Sequence, residues 1–151
     1  MASPLMLYVP IKQTPGAQAA AQMAVQNFAA GVKAGLDDSG IVHYAVLSLI
    51  PNPPGAAGID PKASAGVLLM TAFDLPLVPY LETFWKKGPG IKQALQGLAA
   101  ISANEEAPIE TVQQFVDFIV KYNLANEFSK NFYQAYPDTV MQIRSTEDAT
   151  V

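Results

Sequence analysis

The spacing of apolar residues changes several times along the chain and predicts alternating strands and helices. Residues 5–12 form a short, apolar segment rich in strand formers, and Pro10 within it predicts either an edge strand or the end of the strand pairing. Apolar residues then recur at helical spacing from Ala17 to Leu36, which predicts a long helix with a mostly alanine inner stripe. Thr14 and Pro15 stand where its cap and first residue are expected.

Two further strands are predicted in the first half of the chain. Residues 41–50 alternate, with one face carrying Ile41, His43, Ala45, Leu47 and Leu49. Residues 67–73 form the next strand, after a loop rich in proline and glycine at residues 51–66. Because both faces of these strands are apolar, we expect both to be covered.

Helical spacing returns in the second half. Asp74 is expected to cap a helix, and a weaker helix follows at residues 91–101. Pro108 opens a strong helix, and residues spaced by four predict a short one at 124–136. Thr139 to Arg144 alternates and is interpreted as a last strand.

The order of these elements predicts the fold class. It indicates a single α+β domain over residues 1–151, a ferredoxin-like βαββαβ antiparallel sheet with helices on one face and extra helices before the last strand. The helix-free face would then carry apolar side chains. A second copy of the chain is the simplest cover, so a homodimer is expected.

Composition and charge exclude several classes of function. The chain has 151 residues, nine Lys and Arg against 13 Asp and Glu, one histidine and no cysteine. Clustered basic residues for nucleic acid or a membrane surface are missing, and no apolar stretch is long enough to span a bilayer. A single histidine without thiolates fits no common metal site, so we expect neither metal nor cofactor. A cytoplasmic protein is expected.

Two segments resemble a known family. Val42-His43-Tyr44-Ala45, then Leu68-Leu69-Met70-Thr71-Ala72-Phe73-Asp74 followed by Tyr80-Leu81, is similar to a poorly characterised ferredoxin-like family of the dimeric α+β barrel type. That family has an arginine where this chain has Val46 and a glycine where it has Leu75. The resemblance covers about residues 41–81 and implies the fold and the dimer rather than a particular activity.

His43 is the candidate catalytic residue, because imidazole is the side chain that ordinarily titrates near neutral pH. It would donate or accept a proton in a cavity, and the alternative is a structural, hydrogen-bonded histidine. Asp74 would supply a carboxylate beside it or, alternatively, only cap a helix.

Five residues are candidates for binding a ligand. Tyr8, Tyr44 and Trp85 would line an apolar pocket, and each would otherwise belong to the core or an interface. Thr71 would add a hydroxyl group. Arg144, the lone arginine, would bind a ligand carboxylate or else form a surface salt bridge.

Three functions are compatible with these features. We favour a dimeric protein that binds a small apolar or aromatic molecule in a cavity at the sheet face. The second is a cofactor-free enzyme that acts on a hydrophobic small molecule through His43. The third is a non-catalytic partner of a larger enzyme, suggested by the helical segment at residues 88–136.

Overall fold

A three-stranded antiparallel sheet is the centre of the fold, in a computed structural model that describes residues 2–125 and 133–148. The strands lie in the order β1-β3-β2 and span Ser3–Pro10 (β1), Val42–Pro51 (β2) and Ser64–Phe73 (β3). The helices span Pro15–Ser39 (α1), Leu77–Lys87 (α2), Pro89–Ile101 (α3), Val112–Tyr122 (α4) and Val140–Asp148 (α5). The predicted α+β class is confirmed. None of the helices within the described residues is long and apolar enough to cross a membrane.

The core lies between one sheet face and helices α1 to α4. Leu5, Leu7 and Val9 alternate along β1 and are fully buried on this face, as the period of a strand requires. Leu69 of β3 lies directly between Leu7 and Leu47 of β2, so all three share the face. Helix α4 packs over β1 and α1 packs over β2. Leu47 and Leu69 are only half-buried, which shows that the helices do not fill the space above them.

The two longest predicted helices are confirmed, with shifted ends. The Thr14 hydroxyl accepts a hydrogen bond from the amide of Ala17, and α1 ends at Gly40 in the left-handed conformation (φ 62°). Helix α4 begins later than Pro108, because Thr111 and Gln114 form a reciprocal capping box just before it. Local side-chain chemistry therefore fixes these boundaries.

A β-bulge corrects the predicted alternation at the start of β2. Val42 lies opposite Phe73 and Tyr44 lies opposite Ala72, so His43 is the extra, unpaired residue between them. Val42 consequently packs against the core together with Ala45 and Leu47, in the place that the simple alternation gave to His43.

The predicted last strand at Thr139 to Arg144 is wrong, because this segment begins helix α5. Thr139 and Gln142 form a second capping box: the Thr139 hydroxyl accepts from the amide of Gln142, and the Gln142 side chain accepts from the amide of Thr139. Six alternating residues were too few to outweigh this helix signal. A fourth strand is absent from residues 2–125 and 133–148, so the full βαββαβ layout is not established.

The outer edge of β1 is bordered by the chain that leaves α4. Asn123 forms a single antiparallel bridge with Leu7, and the Leu124 amide donates to the Met6 carbonyl at 2.7 Å. The Asn123 side chain accepts from the Met6 amide at 3.2 Å. The short helix predicted at 124–136 falls largely on residues 126–132, which lie outside the described residues.

Candidate functional site

A cavity of about 350 Å³ lies between α1, α3 and the sheet. Its helix walls carry Ala24, Phe28, Val32, Ile91, Leu95 and Leu98. Its floor carries Ala45, Leu47, Leu69 and Thr71. The cavity explains why the apolar floor is only half-buried although helices lie above it.

Close contact between α1 and α3 borders the cavity. A Cβ atom built on Gly90 would lie 2.5 Å from the Gly31 carbonyl oxygen, so the two helix backbones touch there. At the start of α1, the Gln18 side chain donates to the Ser64 carbonyl at 2.9 Å and accepts from the Ser64 amide at 2.7 Å. With α1 held at both places, the small side chains of Ala24 and Ala94 cannot fill the space between the helices.

Two hydroxyl groups, from Thr71 and Tyr80, are the buried polar groups that line the cavity. The Thr71 hydroxyl donates to the Tyr44 carbonyl at 2.8 Å and lies 3.5 Å from the Tyr80 hydroxyl. Tyr80 stacks on Phe73 with ring centroids 3.6 Å apart and meets Phe84 edge-on at 4.7 Å. Burial raises the pKa of Tyr80 to about 12, only partly offset by the Thr71 hydrogen bond. Tyr80 is therefore a neutral hydrogen-bonding group at neutral pH.

A neighbouring depression of about 390 Å³ shares Gly31 and Gly90 with this cavity. It is lined by the charged residues Asp38 and Lys87 and lacks the buried hydroxyl pair. The apolar cavity is therefore the better candidate for a binding site.

His43 and Asp74 lie together at one end of the sheet and do not line the cavity. The His43 Nε2 atom is 2.8 Å from Asp74 Oδ1, and it is the donor because a carboxylate only accepts. Asp74 Oδ2 accepts from the amide of Val140, the first residue of α5, at 2.8 Å. The predicted cap of α2 is thus wrong: Pro76 occupies that position, and Asp74 instead binds the first amide of α5. Asp74, which directly follows β3, thus connects β2 to the start of α5 through these two hydrogen bonds, and this geometry supports a structural role.

The remaining predicted site residues are not brought together. Tyr8 and Tyr44 lie on the face of the sheet opposite to Thr71. Trp85 packs against Phe115, and the Lys92 ammonium lies 3.9 Å from its ring centroid. Arg144 lies on a helix rather than a strand and donates to the Asp37 carbonyl at 3.0 Å. Of the seven candidate residues, only Thr71 lines the cavity.

Tyr80 is a buried polar residue of the cavity that was not among the predicted site residues. It belongs to the apolar stripe of α2 with Leu77, Leu81 and Phe84, where a phenol is easily interpreted as core. Its hydroxyl group was the signal that could have identified it as a polar group of the site, because a buried phenol needs a hydrogen-bond partner.

Comparison of the chain with protein-family models, curated proteins and solved structures finds no match. The site must therefore be interpreted from its own geometry.

Proposed function

We propose that this protein binds a small apolar molecule in the cavity between α1 and α3. The observation that carries this proposal is a largely apolar cavity of about 350 Å³ with a buried hydroxyl pair. Ligand sites are typically of this size and combine apolar walls with a few placed polar groups.

Binding is favoured over catalysis because Tyr80 is the one titratable residue among those that line the cavity. Its raised pKa keeps the phenol protonated, so it is a poor base or nucleophile at neutral pH. His43, the residue on which an enzymatic role would depend, is engaged with Asp74 away from the cavity.

Filling the cavity is expected to weaken binding. Ala94 lines the cavity from α3, so Ala94→Phe should weaken the binding of a neutral fluorescent probe, N-phenyl-1-naphthylamine, by at least about tenfold. Ala100→Phe is the matched control, because Ala100 is exposed on the same helix and does not line the cavity. Probe fluorescence gives the affinity and circular dichroism confirms folding. Equal affinity for both variants would contradict the proposed site.

We also propose a homodimer that buries the sheet face opposite to Thr71 and the cavity. The side chains at its centre are half-buried or exposed and uncharged: Met6, Tyr8, Tyr44, Val46, Ser48, Leu68 and Met70. The chain has a net charge of −4, so an uncharged face is where two copies meet without like-charge repulsion. The three strands, over the eight paired residues of β1, cover an area of roughly 14 by 27 Å. Because this interface is small, we expect the dimer to dissociate at low protein concentration.

A lysine in this face is expected to give a monomer. Val46→Lys places an ammonium group at the middle of the interface, and we expect at least about tenfold weaker association. Val120→Lys on α4 is the matched control, because Val120 is 52% exposed and Val46 is 50% exposed. Sedimentation equilibrium measures the association. A wild-type chain that stays at 16.1 kDa at every concentration would rule the dimer out.

A further inference from the structure

The geometry points to a specific class of ligand for this cavity: a neutral apolar molecule with one carbonyl-type acceptor that receives the Tyr80 hydroxyl hydrogen. This inference rests on the proposed function, because it names the chemistry of the molecule that the cavity binds. Three observations support it, namely the hydrogen-bond partners of Tyr80, the absence of charge along the cavity and its volume.

The Tyr80 hydroxyl has a hydrogen without a good acceptor. Thr71 already donates its only hydroxyl hydrogen to the Tyr44 carbonyl at 2.8 Å, so Tyr80 must be the donor in the 3.5 Å contact between the two hydroxyls. Hydrogen bonds between oxygens are usually 2.5–3.0 Å long. A ligand oxygen beside Tyr80 would therefore replace a weak hydrogen bond with a full one.

The position of the donor oxygen is fixed before a ligand arrives. The Tyr80 ring is stacked on Phe73 and held edge-on by Phe84, and the residue is 5% exposed. A preorganised donor loses little conformational entropy on binding, which favours a ligand with an acceptor at the matching position.

The lining residues carry neither a cation nor a carboxylate. A carboxylate or ammonium group placed beside the buried hydroxyls of Thr71 and Tyr80 would lose its hydration without meeting an opposite charge, which is strongly unfavourable. The amides of Asn27 and Gln93 belong to exposed residues. The ligand that fits best is therefore uncharged.

The cavity volume sets the size of this molecule. At about 350 Å³, the space is roughly twice the ~150 Å³ cavity that holds one benzene. A bicyclic aromatic or a medium-length alkyl chain with one ketone, aldehyde or ester oxygen matches this volume.

Three naphthalenes of similar size test the inference by calorimetry: 2-acetylnaphthalene, 2-ethylnaphthalene and 2-naphthoate. We expect the wild-type chain to bind the ketone about three- to tenfold more tightly than the hydrocarbon, the gain that one net hydrogen bond supplies. The naphthoate should bind at least about tenfold more weakly than the ketone. Tyr80→Phe should remove the preference for the ketone and leave hydrocarbon binding unchanged, whereas Tyr8→Phe, on the opposite sheet face, should change neither.

Infrared spectra of the bound ketone provide a second measurement. The carbonyl stretch should lie at lower wavenumber in the wild-type chain than in Tyr80→Phe, because only the former donates a hydrogen bond. If ketone and hydrocarbon bind equally to both chains, the inference is overturned while the proposed function stands. If none of the naphthalenes binds to the folded chain, the proposed function fails with it.

Discussion

Gly90→Ala is expected to lower the free energy of unfolding by about 2–3 kcal/mol, although alanine is normally the better helix former. The added Cβ atom would lie 2.5 Å from the Gly31 carbonyl oxygen, and a backbone atom cannot rotate away as a side chain can. Helices α1 and α3 must then separate, which also changes the cavity between them. Urea denaturation measures the stability, and the neutral probe used for Ala94→Phe reports the cavity.

Gly97→Ala is the matched control on the same helix. A Cβ atom at Gly97 would meet nothing within 4 Å, so this variant should gain up to about 1 kcal/mol from helix propensity and reduced unfolded-state entropy. Opposite signs for the two substitutions would establish the close contact at Gly90. A stability gain at both positions would show that α1 and α3 do not touch there.

Asp74→Ala is expected to cost roughly 2–4 kcal/mol and to release α5 from the sheet. The Asp74 side chain is 8% exposed and accepts from both His43 and the Val140 amide. Its removal leaves both donors without this acceptor, although the capping box of Thr139 and Gln142 remains. Denaturation gives the loss of stability, and hydrogen exchange of the α5 amides tests the release.

Arg144→Ala separates this effect from a general weakening of α5. Arg144 also connects α5 to the rest of the fold through a charged side chain, but it lies at the surface against Asp37. Its loss should change stability by less than about 0.5 kcal/mol. Faster amide exchange along α5 in Asp74→Ala, but not in Arg144→Ala, is the expected pattern. Similar exchange rates in both variants would argue that Asp74 does not hold α5 to the sheet.

Helices α1 and α4 could be predicted because their apolar spacing is long and their ends carry recognisable caps. Helix α1 has Thr14 and Pro15 at its start and Gly40 after its end. The strands β2 and β3 were likewise predictable from apolar residues on both faces. In each case the signal lies within the element itself.

Helix α5 was missed although a local signal existed. Thr139 and Gln142 have the spacing of a capping box, the same spacing as Thr111 and Gln114 before α4. A six-residue alternation cannot distinguish a short strand from the first turns of a helix, so the capping pair was the better guide.

The bulge at His43 and the hydrogen bond between Asp74 and Val140 depend on contacts between distant segments. Asp74 and Val140 are 66 positions apart, so the sequence near either residue does not show that they meet. The cavity has the same origin, because it depends on how closely Gly90 approaches Gly31. Sequence reasoning therefore expected a site near His43, whereas the cavity lies across the sheet from Tyr8 and Tyr44.

The irregular ends of β2 affect how this protein can aggregate. Within residues 2–125 and 133–148, β2 pairs only with β3, which leaves one row of its backbone groups available. The pairing register shifts between Val42 and Tyr44 and again between Ile50 and Pro51. Bulges and prolines at exposed edges discourage the addition of strands from other molecules. Fibril growth from this edge is thus hindered at both ends.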